Sequence, residues 1–557
     1  MDILIFSILT NFVYYCAGYI VLSHIKFSDN SSFFILFIGA VIISLIALLL
    51  NFFFPLSQLT NTLAYVLIII IFLFKNKLNF KKEFFIFLII ASLVTFLLII
   101  KSNINRPDAG LYHLPYISIL NENKIFFGLS NIHFRFGHVS IMQYLSAINN
   151  NYLFLNNGIS VPLASIVSFF YLYFFLEVLS VIKNKEHFNT SKIFSLFILI
   201  YISFKITRYS SFGNDAVAHL CYFYIISYIL KSSLKTINFN KILLLCVFIF
   251  LNKPMLGLVF LIPLTIFLIQ KNFTFLKIFN HVFSLPILFL SIWLIKNFIT
   301  SGCAIFPIKT LCIEKLPWTN TQQIEATQRS SEAWSKAWPD RSDRNISMEK
   351  FNKRLNWVHA WKKKHLKYIL NIIIPYIIVL ALVTIFIKTK TKNHTNSRNK
   401  DKDVTARLWL TMLVSLIGTF SFFLMFPIYR YGYSYIITLI SLLFIMTIKH
   451  NIKNTRYLFI FNFFLILSVI AFAGKQSQKV LASDKNNKWP NIYTFDTNII
   501  KKIGSKQKIE LNNNFYYYHA NKGDKLCMYS KSPCTSYMVN DNIKHIKRYT
   551  YSIFVVK

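Results

Sequence analysis

Acidic residues are scarce in this sequence of 557 residues, which has 21 aspartates and glutamates against 60 lysines and arginines and a formal net charge of +39 at pH 7. In a soluble protein this imbalance would indicate a nucleic-acid partner. Here charged residues make up only 15% of the chain and hydrophobic residues 55%. Many of the lysines lie in short segments between apolar runs, where they set membrane topology, so we discount nucleic acid as a partner.

Polar interruptions are also rare within the apolar runs, which are about 15 to 24 residues long and match a hydrocarbon core crossed as a helix. A soluble fold is excluded on this ground. A transmembrane barrel needs polar and apolar residues in alternation, and unbroken apolar runs such as 84–100 exclude it as well. The sequence therefore predicts an all-α, polytopic transmembrane helix bundle.

No basic stretch precedes the first apolar run, which begins at Ile3, and no small-residue cleavage site follows it. We therefore expect this run to be kept as the first span. About fourteen spans are predicted in all. They begin near Ile3, Phe33, Leu59, Phe84, Ile159, Ile193, Ala216, Ile242, Met255, Phe279, Tyr368, Leu408, Ser434 and Tyr457.

The orientation of the spans follows from the distribution of lysine and arginine. These residues are concentrated in five short loops, which the usual bias places in the cytoplasm. The loops are 75–82, 183–192, 231–241, 388–407 and 449–456. The chain then divides into N-terminal spans (1–100), a first outer loop that is the candidate catalytic segment (101–158), central spans (159–299), a second outer loop (300–366), C-terminal spans (367–474) and an outer tail domain (475–557).

One basic cluster departs from this bias, because Lys362, Lys363, Lys364 and Lys367 follow the second outer loop on its outer side. Four apolar residues recur at helical spacing just before the cluster: Met348, Phe351, Leu355 and Val358. This pattern predicts an amphipathic helix. The helix either lies on membrane headgroups, with lysines toward lipid phosphate, or packs on the bundle as an ordinary solvated helix.

The seven cysteines agree with this topology. Cys303 and Cys312 share the second outer loop, Cys527 and Cys534 share the tail, and the other three lie singly in apolar spans at Cys16, Cys221 and Cys246. Paired cysteines outside predict two disulfides in an oxidising compartment, and their spacing does not suit a zinc knuckle. Alternating residues over 508–511 and 549–556 predict a small, partly β tail domain of α/β type.

Two acidic residues stand out because each lies where a span meets an outer loop. Asp108 belongs to Arg-Pro-Asp-Ala-Gly-Leu-Tyr-His over 106–113, and Asp215 to Gly-Asn-Asp-Ala-Val-Ala-His over 213–219. A carboxylate at membrane depth is costly unless it has a partner or a task. The structural alternatives are an ion pair with Arg106 for Asp108 and a helix N-cap for Asp215.

Several cationic and polar residues are predicted to lie on the same outer side. Lys253, in an Asn-Lys-Pro break, and Arg430, in Pro-Ile-Tyr-Arg-Tyr, either contact a phosphate or reach toward headgroups. Glu177, deep in an apolar span, is a candidate for a proton path or for a side chain that reaches the cytoplasmic surface. The first outer loop adds candidates for binding sugar or phosphate: Tyr112, His113, Asn131, His133 and Arg135.

Asp108 and Tyr112 resemble the Asp-x-x-x-Tyr start of the first outer loop in GT-C glycosyltransferases of the protein O-mannosyltransferase and aminoarabinose transferase type. Those enzymes have a second acidic residue one outer loop later, and Asp215 matches that position. The resemblance implies a GT-C-like fold and sugar transfer from a polyprenyl-phosphate donor to an extracytoplasmic glycan or lipid-linked acceptor, with Asp108 as the base. Many of those enzymes have a second acid where this chain has Ala109, so a divalent cation is not favoured and no cofactor is assigned.

The chain is also similar to bacterial membrane proteins encoded among surface-polysaccharide genes. The shared segments are 108–113, 128–133, Ser301-Gly302 with Pro307, and 523–535. This second resemblance implies a role in cell-surface polysaccharide biosynthesis. It also implies a location in the bacterial cytoplasmic membrane, with membrane lipids as neighbours and the site facing the exterior.

Two other functions stay open. A polysaccharide polymerase of the O-antigen type relies on arginines in long outer loops, and the second outer loop holds Arg329, Arg341, Arg344 and Arg354. A lipid-linked glycan flippase would need charged residues within spans and paired broken helices, for which this sequence offers little. A cytoplasmic nucleotide-sugar transferase is not favoured, because no inner loop is long enough to fold a nucleotide-binding domain.

The topology makes a direct prediction about the end of the chain. A reporter enzyme that works only in an oxidising compartment should be active when it is fused after Lys557, because the tail is outside. A matched fusion to a reporter that works only in the cytoplasm should be inactive. Activity of the cytoplasmic reporter alone would overturn the topology and the side assigned to every candidate site residue.

Overall fold

The structure is a computed structural model that describes residues 2–24, 31–75, 82–102, 106–183, 189–205, 212–270, 284–388, 398–448, 456–482, 488–494, 506–512, 515–520 and 526–557. Some predicted features lie outside these ranges. They are the start of the tenth span at Phe279, parts of four basic loops (76–81, 184–188, 389–397 and 449–455) and the tail stretch 521–525.

Long helices make up the N-terminal, central and C-terminal parts of the bundle. The N-terminal part contains α1 (Asp2–His24), α2 (Ser32–Phe53), α3 (Gln58–Lys75) and α4 (Lys82–Ile99), and the first outer loop contains α5 (Leu114–Glu122) and α6 (Ile141–Ile148). The central helices are α7 (Val161–Lys183), α8 (Thr190–Lys205), α9 (Asp215–Lys231), α10 (Phe239–Asn252), α11 (Leu261–Gln270) and α12 (Ser284–Ser301). Three short outer helices follow, α13 (Thr321–Ser335), α14 (Met348–Asn352) and α15 (Val358–Trp361), and then α16 (Lys367–Lys388), α17 (Arg398–Met425), α18 (Tyr429–Met446) and α19 (Arg456–Leu481).

Nine of the described helices are long and apolar enough to cross a membrane: α1 to α4, α7 and α16 to α19. This confirms the prediction of a helix bundle with membrane-spanning helices. Shorter helices of 10 to 18 residues, α8 to α12, lie at the other predicted positions. The number of fourteen spans therefore stays a prediction.

The prediction of one continuous amphipathic helix across 348–358 is wrong. α14 ends at Asn352 and α15 begins only at Val358, and Arg354 between them has a φ of 50°. A residue in the left-handed region cannot continue an α-helix. Leu355, which the pattern assigned to the apolar face, is 60% exposed.

The predicted small, partly β tail domain is confirmed as a sheet region, and beyond residue 488 its described elements are strands joined by bends and turns. β1 (Lys506–Asn512) and β2 (Phe515–Ala520) pair antiparallel, β3 (Cys534–Thr535) joins β2 in parallel, and β4 (Ile543–Arg548) pairs antiparallel with β5 (Tyr551–Val556). Aromatic and β-branched residues are concentrated in β2 and β5, and such residues favour strands over helices.

The tail is bonded to the first outer loop. Phe127 N donates to Ser552 O at 3.0 Å, and Phe554 N donates back to Phe127 O at 2.9 Å. Tyr529 and Asn150, 379 positions apart, share a hydrogen bond of 3.0 Å. Strand residues of the tail thus hold the loop that carries the candidate site.

Both predicted disulfides are present. Cys303 is bonded to Cys312 in the second outer loop, and Cys527 to Cys534 in the tail. The remaining cysteines are free and buried, as expected for residues within apolar spans.

Two glycines allow α1 and α2 to pack closely. A Cβ added to Gly39 would overlap the backbone carbonyl of Tyr14, and one added to Gly18 would overlap that of Ile35. Small residues at such crossings let helix backbones approach within a membrane, where dispersion forces replace the hydrophobic effect.

Gly39→Ala should therefore destabilise the bundle, since the overlap is with rigid backbone. We expect a loss of about 1 to 3 kcal/mol, measured by thermal unfolding in detergent. Gly474→Ala in α19 is the matched control, because a Cβ there meets nothing within 4 Å. The packing argument fails if the two variants unfold at the same temperature.

Candidate active site

Asp108 lies at the start of the first outer loop, directly before a π-helical turn over Ala109–His113 that runs into α5. Its carboxylate accepts two charge-assisted hydrogen bonds. Oδ2 accepts from Arg430 Nη1 at 2.9 Å, and Oδ1 accepts from Arg135 Nη1 at 3.4 Å. The structure thus brings together three predicted site residues from two distant parts of the chain.

The charge state of Asp108 follows from these two contacts. Burial alone would raise the pKa of the carboxyl, but the positive charges of Arg430 and Arg135 outweigh burial and hold the pKa below its ordinary value of 3.8. Asp108 is therefore a carboxylate at neutral pH. A carboxylate with a depressed pKa is a weak base for as long as both guanidinium groups stay on it.

A second ion pair lies on the other side of Arg430. Asp215 pairs with Lys253, and Lys253 Nζ also donates to the backbone carbonyl of Arg430 at 2.9 Å. The N-cap role considered for Asp215 is wrong, because Asn214 is the N-cap residue of α9 and Asp215 is its first helical residue. We call Asp108, Arg135, Asp215, Lys253 and Arg430 the charged cluster.

His113 lies within the electrostatic reach of both carboxylates of the cluster. Burial lowers its pKa to about 4, so the imidazole is neutral at pH 7. Gln143 Nε2 lies 2.7 Å from His113 Nδ1, and Gln143 Oε1 accepts from Ser140 N. Since the Gln143 amide nitrogen is a donor, Nδ1 accepts and the proton is assigned to Nε2. A Cβ at Gly213 would lie 3.9 Å from Nε2, so this nitrogen faces the start of α9.

Two tyrosines line the cations of the cluster. The guanidinium of Arg135 lies 5.1 Å from the ring centroid of Tyr112, and Lys253 Nζ lies 4.7 Å from that of Tyr431. The Tyr431 hydroxyl also accepts from Arg430 Nη2 at 3.2 Å. Tyr112 was predicted as a site residue and Tyr431 was not, although it directly follows Arg430.

His219 is a second residue that the sequence did not assign to the site. Its Nε2 lies 3.0 Å from the Arg430 carbonyl, and its Nδ1 lies 2.7 Å from Ser434 Oγ. The signal was present in the spacing, because His219 comes four residues after Asp215 and so shares its helix face.

Asn131 and His133 are placed elsewhere. Asn131 Nδ2 donates to the carbonyls of Trp318 and Phe554, which ties the first outer loop to the second loop and to the tail. His133 Nδ1 accepts from Arg135 N and caps a 3-10 turn over Phe134–His138. Both contacts are structural, and that of His133 orients the backbone that carries Arg135.

The tail reaches the turn next to Asp108. Met528 N donates to Gly110 O at 3.0 Å, and a Cβ added to Gly110 would overlap Met528 Sδ. Glycine at this position therefore permits the close approach of the tail.

Glu177 is remote from the charged cluster. It pairs with Lys192 at 2.8 Å and with Lys231 at 2.9 Å, and Lys231 lies at the end of α9 opposite to Asp215. Among the residues that the structure describes, no group of three or more His, Cys, Asp or Glu side chains could hold a metal ion. The assignment of a divalent cation is left open.

Comparison with known proteins gives one match. A family model described as "Domain of unknown function (DUF8201)" matches residues 1–437 and so includes the whole charged cluster. No curated protein and no solved structure matches the chain.

The pairing of Asp108 with Arg430 can be measured by a double-mutant cycle. Asp108→Asn and Arg430→Gln should each lower the unfolding temperature, and the double variant should be less destabilised than their sum, with a coupling of about 1 to 3 kcal/mol at pH 7. Because the pKa of Asp108 is lowered in the fold, the coupling is complete above about pH 5 and is lost as the pH falls through that lowered pKa.

The exposed pair of Asp340 and Lys364 in the second outer loop provides a reference cycle. Solvent screening should keep its coupling below about 1 kcal/mol. Equal coupling in the two cycles would contradict the account of the charged cluster.

Proposed function

Because the chain belongs to the DUF8201 family, whose description gives no activity, we propose its function from the charged cluster: it is a membrane glycosyltransferase. It moves a sugar from a polyprenyl-phosphate-linked donor to a glycan or lipid acceptor in cell-surface polysaccharide biosynthesis. The observation that carries this proposal is a carboxylate, Asp108, bonded to two guanidinium groups beside a second ion pair.

The charge of the cluster suits a phosphate. Three cations stand against two carboxylates, and His113 is neutral, so these groups carry a net positive charge. The arginine side chains offer planar, paired donors that match phosphate oxygens, and Lys253 adds a point charge. Such charges act strongly here because the site is partly buried and water is limited.

The transfer step uses Asp108 as the base. The acceptor hydroxyl oxygen forms a bond to the anomeric carbon as the bond from that carbon to the donor phosphate oxygen breaks. The phosphate leaves with the bonding electron pair, and Asp108 takes the hydroxyl proton. Proton removal as the new bond forms lowers the barrier.

The resting geometry accounts for the timing of this step. While Arg430 and Arg135 remain on Asp108, its pKa is low and it is a poor base. A donor phosphate competes for the same guanidinium groups. As these turn toward phosphate, Asp108 loses its counter-charges and becomes more basic. Base strength is thus coupled to donor binding.

Asp215 has the role of a positioning residue. It pairs with Lys253, which in turn bonds the carbonyl of Arg430. Loss of the Asp215 charge would free Lys253 to move, but it would leave the proton acceptor in place.

The arginines that a polymerase would use are engaged locally. Arg341 donates to the carbonyls of Trp338 and Arg344, and Arg329 pairs with Glu349 at 2.7 Å. Arg135 and Arg430 instead converge on a carboxylate. This contrast favours the transferase over the polymerase.

We also propose the finer features of the architecture: about fourteen spans, a GT-C-like core and a site that faces the exterior of the bacterial cytoplasmic membrane. The shorter helices α8 to α12 at the predicted positions support the span number. The disulfides in the second outer loop and the tail support an oxidising exterior.

The proposal predicts the effect of removing each carboxylate. Asp108→Asn keeps the size of the side chain and loses the proton acceptor, so transfer should fall roughly 100-fold or more. Asp215→Asn should act less severely. The assay is sugar transfer from a radiolabelled polyprenyl-phosphate donor by purified protein, with folding checked by gel filtration.

Asp340→Asn in the second outer loop is the control and should retain full activity. A polymerase would instead tolerate Asp108→Asn and lose chain extension on Arg341→Ala. Full transfer activity of the purified Asp108→Asn protein would refute the proposed mechanism.

A further inference from the structure

α12 carries a buried stripe that becomes polar toward its outer end. One face of the helix, with Ile287, Leu288 and Ile295, is exposed, as expected toward lipid. The opposite face is buried and repeats at helical spacing: Phe289, Trp293, Lys296, Asn297 and Thr300. Lys296 has no exposed surface at all. Its side chain therefore points into the protein.

Three polar atoms on this stripe lack hydrogen-bond partners among the residues that the structure describes. They are Trp293 Nε1, Lys296 Nζ and Asn297 Oδ1. Within the described part of the chain, the Lys296 ammonium contacts the ring of Trp293, whose centroid is 3.7 Å from Nζ, and has no hydrogen-bond acceptor. A buried polar group without a partner costs several kcal/mol, so three on one helix turn call for an explanation.

Other buried lysines of the chain have protein partners. Lys192 pairs with Glu177 at 2.8 Å. Lys241 Nζ lies among aromatic rings, 4.0 Å from the centroid of Tyr228 and 4.1 Å from that of Phe34. Lys296 differs from both because it has one aromatic face and no acceptor. No described residue of the chain therefore supplies a hydrogen-bond acceptor for the Lys296 ammonium.

The stripe faces the elements that carry the charged cluster. α12 packs against α10, whose end precedes Lys253, and against the turn over Phe134–His138, which contains Arg135. Asn252, the last residue of α10, also has a buried Oδ1 without a described partner. Lys296 lies five residues before the end of α12, roughly 7 to 8 Å at the helical rise, so it is close to the outer surface.

We propose that Trp293, Lys296 and Asn297 form a binding site for a phosphate ester. Phosphate oxygens would accept from the ammonium and from the indole N–H, and the protonated oxygen of a singly charged phosphate monoester would donate to Asn297 Oδ1. An ionisable residue within a span marks a functional site by default, and an anion is the partner that a buried ammonium needs. The choice of a polyprenyl phosphate as its natural source rests on the proposed function.

Binding of the phosphate group, and not transfer, tests this site. Native mass spectrometry of the full chain in detergent would measure the affinities for undecaprenyl phosphate and for undecaprenol, which lacks the phosphate. Wild-type protein should prefer the phosphate at least about tenfold, since a charge-assisted hydrogen bond contributes that much. Lys296→Met should reduce the preference several-fold, with the remainder supplied by the cations of the charged cluster, and Lys296→Arg should retain the full preference.

Lys241→Met is the matched control, because it also removes a buried lysine but lies at the opposite end of α10. It should keep the preference of the wild type. Competition with an excess of inorganic phosphate shows whether the natural ligand is a lipid headgroup or a water-soluble phosphate ester. Failure to displace the lipid assigns the site to a lipid headgroup, and displacement at low concentration assigns it to a water-soluble phosphate.

The site is refuted if Lys296→Met keeps the tenfold preference, or if wild-type protein does not distinguish the two lipids. The Lys296→Arg variant guards against misfolding, since it retains the charge. Sugar transfer by the wild-type protein is measured separately from lipid binding. A failed transferase with intact lipid binding would therefore count against the proposed function and leave the Lys296 site standing.

Discussion

Arg430 joins the outer ends of four parts of the chain, and the geometry of the site depends on where it is held. Its guanidinium bonds Asp108 in the first outer loop, while its carbonyl accepts from Lys253 after α10 and lies beside His219 in α9. Two glycines fix the helix that carries it, because a Cβ at Gly418 would overlap Tyr435 and one at Gly432 would overlap Phe422. α17 and α18 are thus packed tightly near Arg430, where a shift of α18 would lengthen the ion pair between Arg430 and Asp108.

Acidic residues are few in this chain, so the partners of those at membrane depth are informative. Each carboxylate that the sequence marked at membrane depth is paired: Asp108 with two arginines, Asp215 with Lys253, and Glu177 with two lysines. The Glu177 group lies toward the predicted cytoplasmic side, where its pairing is structural. The Asp108 and Asp215 groups meet at Arg430: Asp108 bonds its guanidinium, and Asp215 pairs with Lys253, which donates to its carbonyl.

Local sequence patterns predicted the membrane helices, both disulfides and the residues of the charged cluster, because each of these depends on composition or short-range spacing. Features set by long-range contacts were not predictable in this way. Asn131 was taken for a binding residue, since nothing in its neighbourhood indicates that it bonds Phe554 across the fold. The helix across 348–358 was predicted from apolar spacing alone, which carries no sign of the left-handed residue at Arg354. Lys296 was not predicted as a site residue, because the sequence does not show which face of its helix a single lysine in an apolar run occupies.

The strands of the tail have a consequence for how the protein is made. Residues 527–554 are synthesised after every membrane helix, yet they bond the loop at Gly110 and Phe127 that carries Asp108. The whole bundle is therefore synthesised before the segment that braces the site, and in the proposed topology that segment must still cross the membrane and acquire the Cys527–Cys534 bond. Until then the first outer loop lacks the hydrogen bonds at Gly110 and Phe127 that hold it against the tail. In the proposed topology, completion of the site therefore depends on export of residues 527–554 as well as on insertion of the helices.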